Sequence, residues 1–303
     1  MIMASSSTDG QHTNEIKNLT PHKIVLPADL LKDIQDTEAK GCLDNDSSDG
    51  FFYIPNFISE AEEEHIISKI QSAPQPKWRT LHARSGEKIG RLQNWGGQVT
   101  KQALIAEQLP EFLTSFPPLL ERIRETGAFQ GSKHGEPNHC LMNEYEPGQG
   151  ILPHEDGSAY FPTVATVSLG GHTLLDVYRY ASQDAQSDAS KPADSSAKAR
   201  EQLPRFSILQ EPRSLLITQG AAYKYFLHGI AEREIDEDKH LSTVTNGDMV
   251  ADTSVRDTIR KAKEGGDSNS DHSLQRQLRY SLTLRDVERV APKNLMAMMM
   301  GKQ

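Results

Sequence analysis

Cysteine is scarce in this chain: 303 residues carry two, Cys42 and Cys140, which excludes a disulfide framework. Long apolar runs are missing as well. None approaches the roughly 20 residues that a membrane-crossing helix needs, and the Ser-rich opening Met1–Gly10 has no signal-peptide core. A reducing compartment is expected, cytoplasmic and nuclear, with no membrane attachment. Positive charge is not in excess either. A formal balance of -9 at pH 7 argues against a surface coated with nucleic-acid-binding charge, but leaves room for a local basic face. Apolar residues make up only 36%, below the usual globular share. That deficit is expected to sit in polar, disordered segments instead of thinning the core evenly.

Against these absences stands a clear succession of elements, with no internal repeat. Residues 1–48 read as a polar N-terminal extension with one amphipathic stretch, Pro27 to Lys40. Phe51-Phe-Tyr-Ile54 reads as a strand. Ser59 and Glu62 form a capping-box pair that opens a helix with Ile66, Ile67 and Ile70 facing inward, ended by Pro74. A second helix is predicted from Pro117 to Thr126, with Gly127 as its stop. Beyond Cys140 come short β-rich runs at 140–146, 164–169, 173–180, 206–208, 214–218, 223–228 and 279–284. The pattern predicts a mainly β domain with flanking helices (α+β), a sandwich or jelly roll, over residues 49–290. Two polar segments, 182–203 and 236–276, are expected to be disordered loops inserted into it, the second with room for a short helix around Val255 to Lys263. Residues 291–303 form a Met-rich C-terminal tail.

Several residues carry chemistry. His154 and Asp156 are two apart, so at the end of a strand they point to the same side and can meet one ion. Glu155 then points away. His228 closes the aromatic run Tyr223-Lys-Tyr-Phe-Leu227 and offers a third ligand, with His240 and His272 as competitors in polar sequence. Two imidazoles and a carboxylate can hold Fe(II) on one face and leave three positions for a co-substrate and oxygen. In Arg279-Tyr-Ser-Leu-Thr-Leu-Arg285, polar and apolar residues alternate, so both arginines lie on one face of a strand. A guanidinium matches a carboxylate in bidentate fashion, which suits the distal carboxylate of 2-oxoglutarate. Asn143 and Tyr145 share one strand face upstream and would offer an amide and a phenol to the same anion. An iron-dependent, 2-oxoglutarate-using oxygenase is the reading on which these signals agree.

The motifs Leu141-Met-Asn-Glu-Tyr-Glu-Pro-Gly148, Pro153-His-Glu-Asp-Gly157, Val167-Ser-Leu-Gly170, His228-Gly-Ile230 and Arg279-Tyr-Ser-Leu-Thr-Leu-Arg285 resemble the AlkB family of dioxygenases. Tyr53-Ile-Pro-Asn-Phe-Ile-Ser59 fits the family's entry into its catalytic domain. Arg91-Leu-Gln-Asn-Trp-Gly-Gly97 and Gly171-His-Thr-Leu-Leu-Asp-Val-Tyr178 look most like its homologue 6 branch. The resemblance runs from about Phe51 to Val290 and implies a double-stranded β-helix. It implies His154, Asp156 and His228 as ligands of Fe(II). It further implies that Asn143, Tyr145 and Arg279 bind 2-oxoglutarate, while Arg285 sits near the substrate and supports the aspartate. Dioxygen is the second co-substrate. The 51-position step from His228 to Arg279 is long for the family and requires 236–276 to loop out.

The implied reaction hydroxylates a substrate C–H bond, and on an N-methyl group it ends in formaldehyde and the demethylated base. The substrate side is expected at 77–101, which carries six basic residues against the single acid Glu87 and holds both tryptophans. Lys77, Trp78, Arg79, Arg91, Gln93, Asn94 and Trp95 are its candidate contacts, because a basic, aromatic strip can touch phosphates and stack on an unpaired base. In the family this region forms a nucleotide-recognition lid, so a single-stranded or flipped alkylated base of RNA or DNA is the expected partner. Protein hydroxylation or demethylation at the same site, and a non-catalytic nucleic-acid-binding module, are the alternatives. A monomer is expected.

Overall fold

The computed structural model describes residues 18–26, 49–82, 88–180, 200–265 and 272–292. Along the chain the strands are β1 (Gly50–Ile54), β2 (Arg79–His82), β3 (Lys88–Trp95), β4 (Gly97–Val99), β5 (Leu104–Ala106), β6 (His139–Tyr145), β7 (Ile151–His154), β8 (Tyr160–Gly170), β9 (Thr173–Tyr178), β10 (Phe206–Gln210), β11 (Leu215–Gln219), β12 (Leu227–Ile230), β13 (Ile235–Asp236), β14 (Leu274–Gln275) and β15 (Arg279–Val287). A seven-stranded sheet runs β1-β11-β8-β15-β6-β3-β2, and a four-stranded sheet runs β10-β9-β12-β7. The quartets β11-β8-β15-β6 and β10-β9-β12-β7 face each other as the jelly roll expected from the sequence.

Period two decides what each face of the large sheet meets. In β15, Tyr280, Leu282 and Leu284 join Cys140, Met142, Ala165, Val167 and Leu169 of the neighbouring strands in one apolar cluster. Helices cover that cluster from outside. Ile66 and Ile70 of Glu60–Gln71 and Leu119, Leu120 and Ile123 of Leu119–Glu125 pack into it. The first of these helices opens as its sequence predicts: the Ser59 hydroxyl accepts from the Glu62 amide at 3.3 Å, and the Glu62 carboxylate accepts from the Ser59 amide at 2.9 Å.

Between the sheets, a second cluster of Phe51, Tyr53, Leu216, Val177, Phe206, Ile208 and Phe226 closes one end. Ile24 and Leu26 belong to it, and Lys23 bridges to Phe52. The expected polar extension over 1–48 therefore contains a stretch that packs on the domain, because its apolar residues complete the edge at β1. The stretch from Pro27 to Lys40 lies outside the described residues.

Two further expectations are corrected. The run 223–228 is not one strand: Ala221–Tyr225 is a short helix that buries Ala221 and Ala222, and β12 begins at Leu227. Gly220, at φ +62°, makes the turn into it, and Asp49 accepts from the Ala221 amide at 3.0 Å. The segment 236–276, expected as a disordered loop, is largely ordered. It forms the helices Asp238–Leu241 and Thr253–Glu264 and the strand β14. Leu241, Val244, Val250 and Ile259 bury themselves against Leu174 and Leu209 on the outer face of the small sheet. A sparse set of apolar residues suffices because the sheet supplies the other half of the core. The segment also closes the edge strand β10: the Ser207 amide donates to Thr243 O at 3.0 Å, the Thr245 amide donates to Ser207 O at 2.9 Å, and the Asn246 side chain exchanges two hydrogen bonds with the Leu209 backbone. Residues 181–199 lie outside the described ones, as does the tail beyond 292.

The same segment is pinned electrostatically. Arg276 holds the Asp236 carboxylate through two 2.8 Å bonds, and His172 Nε2 lies 3.2 Å from it. Burial alone would raise that carboxyl, but the His172 and Arg276 hydrogen bonds outweigh it and hold it well below the ordinary carboxylate range.

Two outcomes follow for stability. Ile259→Ala lowers the unfolding free energy by about 2–5 kcal/mol in urea denaturation, whereas a disordered segment would give no change. Because the Asp236 pKa is depressed in the folded state, its contribution is complete above the unfolded value near 3.8 and is lost as pH falls below it. Stability measured between about pH 6 and pH 3 therefore declines more steeply in wild type than in Asp236→Asn.

Candidate active site

Antiparallel pairing of β7 and β12 sets His154 directly opposite His228. Their ring centroids are 4.6 Å apart, and Asp156, two residues past His154, places a carboxylate oxygen 3.8 Å from His228 Nε2. One ligand atom from each of the three lies within 4.8 Å of the others. Among the described residues no further group of His, Cys, Asp and Glu is so gathered. His154 Nδ1 lies 2.8 Å from Leu152 O; a carbonyl only accepts, so Nδ1 carries the proton and Nε2 is left with its lone pair. Burial pushes the His228 ring down to about 4, with His154 and Arg285 acting the same way and Asp156 against them, so this ring is neutral and keeps a lone pair to donate.

The inner face of β15 supplies the rest. Register puts Arg279 opposite Tyr145, Ser281 opposite Asn143 and Arg285 opposite His139, and directly opposed residues share a face. Arg285 Nη2 donates a short hydrogen bond to Asp156 Oδ1, and its guanidinium sits 5.0 Å from the Tyr160 ring. Arg279 is 2% exposed, and its guanidinium lies 5.7 Å from the Tyr145 ring. No carboxylate of the described residues pairs with it. Burial pulls its pKa down to about 10, and buries the neighbouring Tyr145 phenol deeply enough to push that one up. Arg279 Nε and Nη1 and Arg285 Nε are buried without a hydrogen-bond partner. Buried donors are nearly always satisfied, so these mark where an anion belongs. The donor set thus fits both groups the sequence implied: two imidazoles and a carboxylate for Fe(II), and an unpaired buried guanidinium for a carboxylate.

Three contributors escaped the sequence reading. Ser168 and Gln210 hold the Arg279 guanidinium, and Tyr223 donates to Gly157 O at 2.9 Å beside the ligand loop. Their only signal is period two: Ser168 lies opposite Ser281 in register. His240 and His272, the competing third ligands, are not in the cluster; the His240 ring caps its own helix by accepting from the Glu237 amide at 3.1 Å.

The candidate substrate strip divides by face. Leu92 pairs with Asn143 and Arg79 pairs with Leu92, so Arg79, Leu92 and Asn94 project on the side of the metal-ligand cluster. Arg91, Gln93 and Trp95 project to the opposite, helix-covered side. There Arg91 grips Glu144 through bonds of 2.7 and 2.6 Å and lies 4.1 Å over the Trp78 ring. Gln93, fully buried, donates to Ile70 O and accepts from Trp95 Nε1, each at 3.0 Å. Lys77 lies 4.8 Å over Trp95. The seven expected contacts thus fall on two faces: Lys77, Trp78, Arg91, Gln93 and Trp95 brace the β2–β3 hairpin from behind, and Arg79 and Asn94 lie on the side of the metal-ligand cluster.

The profile of the 2OG-Fe(II) oxygenase superfamily matches residues 50–285. The probable RNA/DNA demethylase ALKBH6 of Danio rerio is 40% identical over 248 residues, 80% of this chain and 88% of that protein. The Xenopus tropicalis tRNA (carboxymethyluridine(34)-5-O)-methyltransferase alkbh8 is 27% identical over 192 residues, 62% of this chain and 26% of that protein. Among solved structures, OsALKBH1 superposes with a TM-score of 0.45 at 16% identity, covering 78% of this chain and 98% of that one.

An unpaired buried cation is a burden on the ligand-free fold. Arg279→Met therefore raises the thermal midpoint of the protein without ligands, while 2-oxoglutarate added to the Mn(II)-loaded protein raises that of wild type further and not that of the variant. Differential scanning calorimetry reads both; a variant less stable than wild type and still shifted by 2-oxoglutarate would remove Arg279 from the site.

Proposed function

The chain belongs to the 2OG-Fe(II) oxygenase superfamily and is an Fe(II)/2-oxoglutarate-dependent dioxygenase; we propose that it oxidatively demethylates an alkylated base in RNA or DNA. The observation that carries the assignment of its site is the pairing of one His-Asp-His cluster with a buried arginine that no carboxylate of the described residues neutralises. A hydrolytic metal site would need the cluster but would leave Arg279, Tyr145 and Asn143 without a task.

In this reading His154 Nε2, His228 and Asp156 would hold the iron, and Arg279, Tyr145 and Asn143 would hold 2-oxoglutarate. Bound there, iron(II) with 2-oxoglutarate and dioxygen would supply the oxidising power to hydroxylate a C–H bond, with succinate and carbon dioxide as co-products. The protein's own residues order that site. Leu152 O fixes the His154 tautomer, and Arg285 aims Asp156 through its hydrogen bond to Oδ1. Tyr223 ties down the loop after Asp156 through Gly157 O. The apolar cluster closes the space between the sheets at the β1 end, and the β2–β3 hairpin lies at the opposite edge of the large sheet, the side this reading assigns to the substrate.

Support for a nucleic-acid substrate comes from the name of the Danio rerio relative and from Arg79 and Asn94, which the hairpin presents on the side of the site. Formaldehyde is the product expected from an N-methyl group, since a hydroxymethyl on a base nitrogen leaves spontaneously. A buried free thiol at Cys140 suits a reducing compartment, cytosol or nucleus. No helix of the described residues is long and apolar enough to cross a membrane.

The test is succinate and formaldehyde release by the purified protein with Fe(II), ascorbate and air, in the presence of methylated RNA or DNA oligonucleotides. Wild type is expected to release both with one oligonucleotide class and His154→Ala to lose at least about a hundredfold in rate. Succinate that depends on His154 but ignores every oligonucleotide would move the substrate to another class of molecule.

A further inference from the structure

Arg279 is held from the opposite sheet. Gln210, at the end of β10, lies on the same face as Phe206 and Ile208, which pack between the sheets. It is 2% exposed, as buried as Arg279 itself. Its Oε1 accepts from Arg279 Nη2 at 3.1 Å and from the Ser168 hydroxyl at 3.1 Å. The Ser168 oxygen, fully buried, accepts in turn from Arg279 Nη2 at 2.9 Å. The amide orientation is dictated by chemistry, because a guanidinium only donates and must meet the oxygen and not the NH2.

Nη2 carries two hydrogens, and the two bonds use both. Its partners are neutral acceptors: they fix the guanidinium in place and leave its charge uncancelled. The donors on Nε and Nη1 are the ones left buried and unpartnered. An aspartate or glutamate at position 210 would hold the arginine equally well and would occupy the charge that a ligand needs.

We propose that Gln210, acting with Ser168, is the positioning residue that aims Arg279 at the distal carboxylate of the co-substrate and so sets the preference for a dicarboxylic 2-oxo acid. The proposal rests on the oxygenase reading of the same site. It assigns Gln210 a part in choosing the acid, not in the oxidation itself.

The experiment is calorimetric titration of the full-length, Mn(II)-loaded protein, without oxygen, with 2-oxoglutarate and with 2-oxobutyrate, which lacks the distal carboxylate. Wild type is expected to prefer 2-oxoglutarate. Gln210→Leu weakens 2-oxoglutarate by about tenfold or more, the usual size for a lost hydrogen bond to a charged group, and leaves 2-oxobutyrate unchanged. Gln210→Glu, of the same size, weakens 2-oxoglutarate further because its carboxylate pairs with Arg279 in the ligand's place. Ser168→Ala produces a smaller loss in the same direction. In turnover the KM for 2-oxoglutarate rises in step, with kcat within about twofold. Wild-type affinity in Gln210→Glu, or equal losses for both acids across the variants, would overturn the proposal. If Gln210→Leu does not fold, Gln210→Glu and Ser168→Ala decide it. A wild type that binds neither acid would overturn the oxygenase reading beneath it, which the two-acid comparison keeps separate from the failure of Gln210 alone.

Discussion

Strand β15 is buried along all nine of its residues and lies between β8 and β6 in the middle of the large sheet. Its alternation is therefore a constraint on the whole molecule. Tyr280, Leu282 and Leu284 must face the helices, and this obliges Arg279, Ser281, Thr283 and Arg285 to face the small sheet. A slip of one residue would drive two guanidiniums into the main core and strand three large apolar side chains in the site. Core packing and site geometry are thus one decision, made by a single strand and enforced by hydrogen bonds on both its sides.

Two arginines three residues apart show what separates a structural cation from a functional one. Arg276 and Arg279 are both almost fully buried. Arg276 is neutralised by the Asp236 carboxylate with two bonds, in a network that continues through Arg233 to Asp176. Among the described residues Arg279 has only the neutral oxygens of Ser168 and Gln210. Burial is the same and the chemistry of the partner differs, so one guanidinium ties an insertion to the fold while the other stays available.

Much of this was legible in the sequence because it follows from period two and from caps. The alternation of Arg279 to Arg285, the two-residue step from His154 to Asp156 and the capping box at Ser59 each translate directly into geometry. What stayed hidden depends on pairing between distant strands. Gln93 reads as a polar residue in a basic strip until the register with Met142 turns it toward the core. Ser168 and Gln210 acquire meaning only when β8 and β10 come together around Arg279. The segment 236–276 looked too polar to order itself, and alone it would be. Its Leu241, Val244, Val250 and Ile259 find their partners on the back of a sheet built from residues about thirty to eighty positions upstream.

The clasp that this segment places on β10 has a further meaning. A sheet edge is a row of unpaired amides and carbonyls, ready to accept a strand from any chain that comes near. Asn246 satisfies both backbone groups of Leu209, and Thr243 and Thr245 satisfy those of Ser207. The opposite edge of the same sheet, β7, ends at His154 and has to stay clear for ligands. With one edge committed to chemistry, the other cannot also be left open without inviting intermolecular strand pairing. The long insertion therefore removes a strand-pairing template from the one edge of the small sheet that the ligands do not occupy.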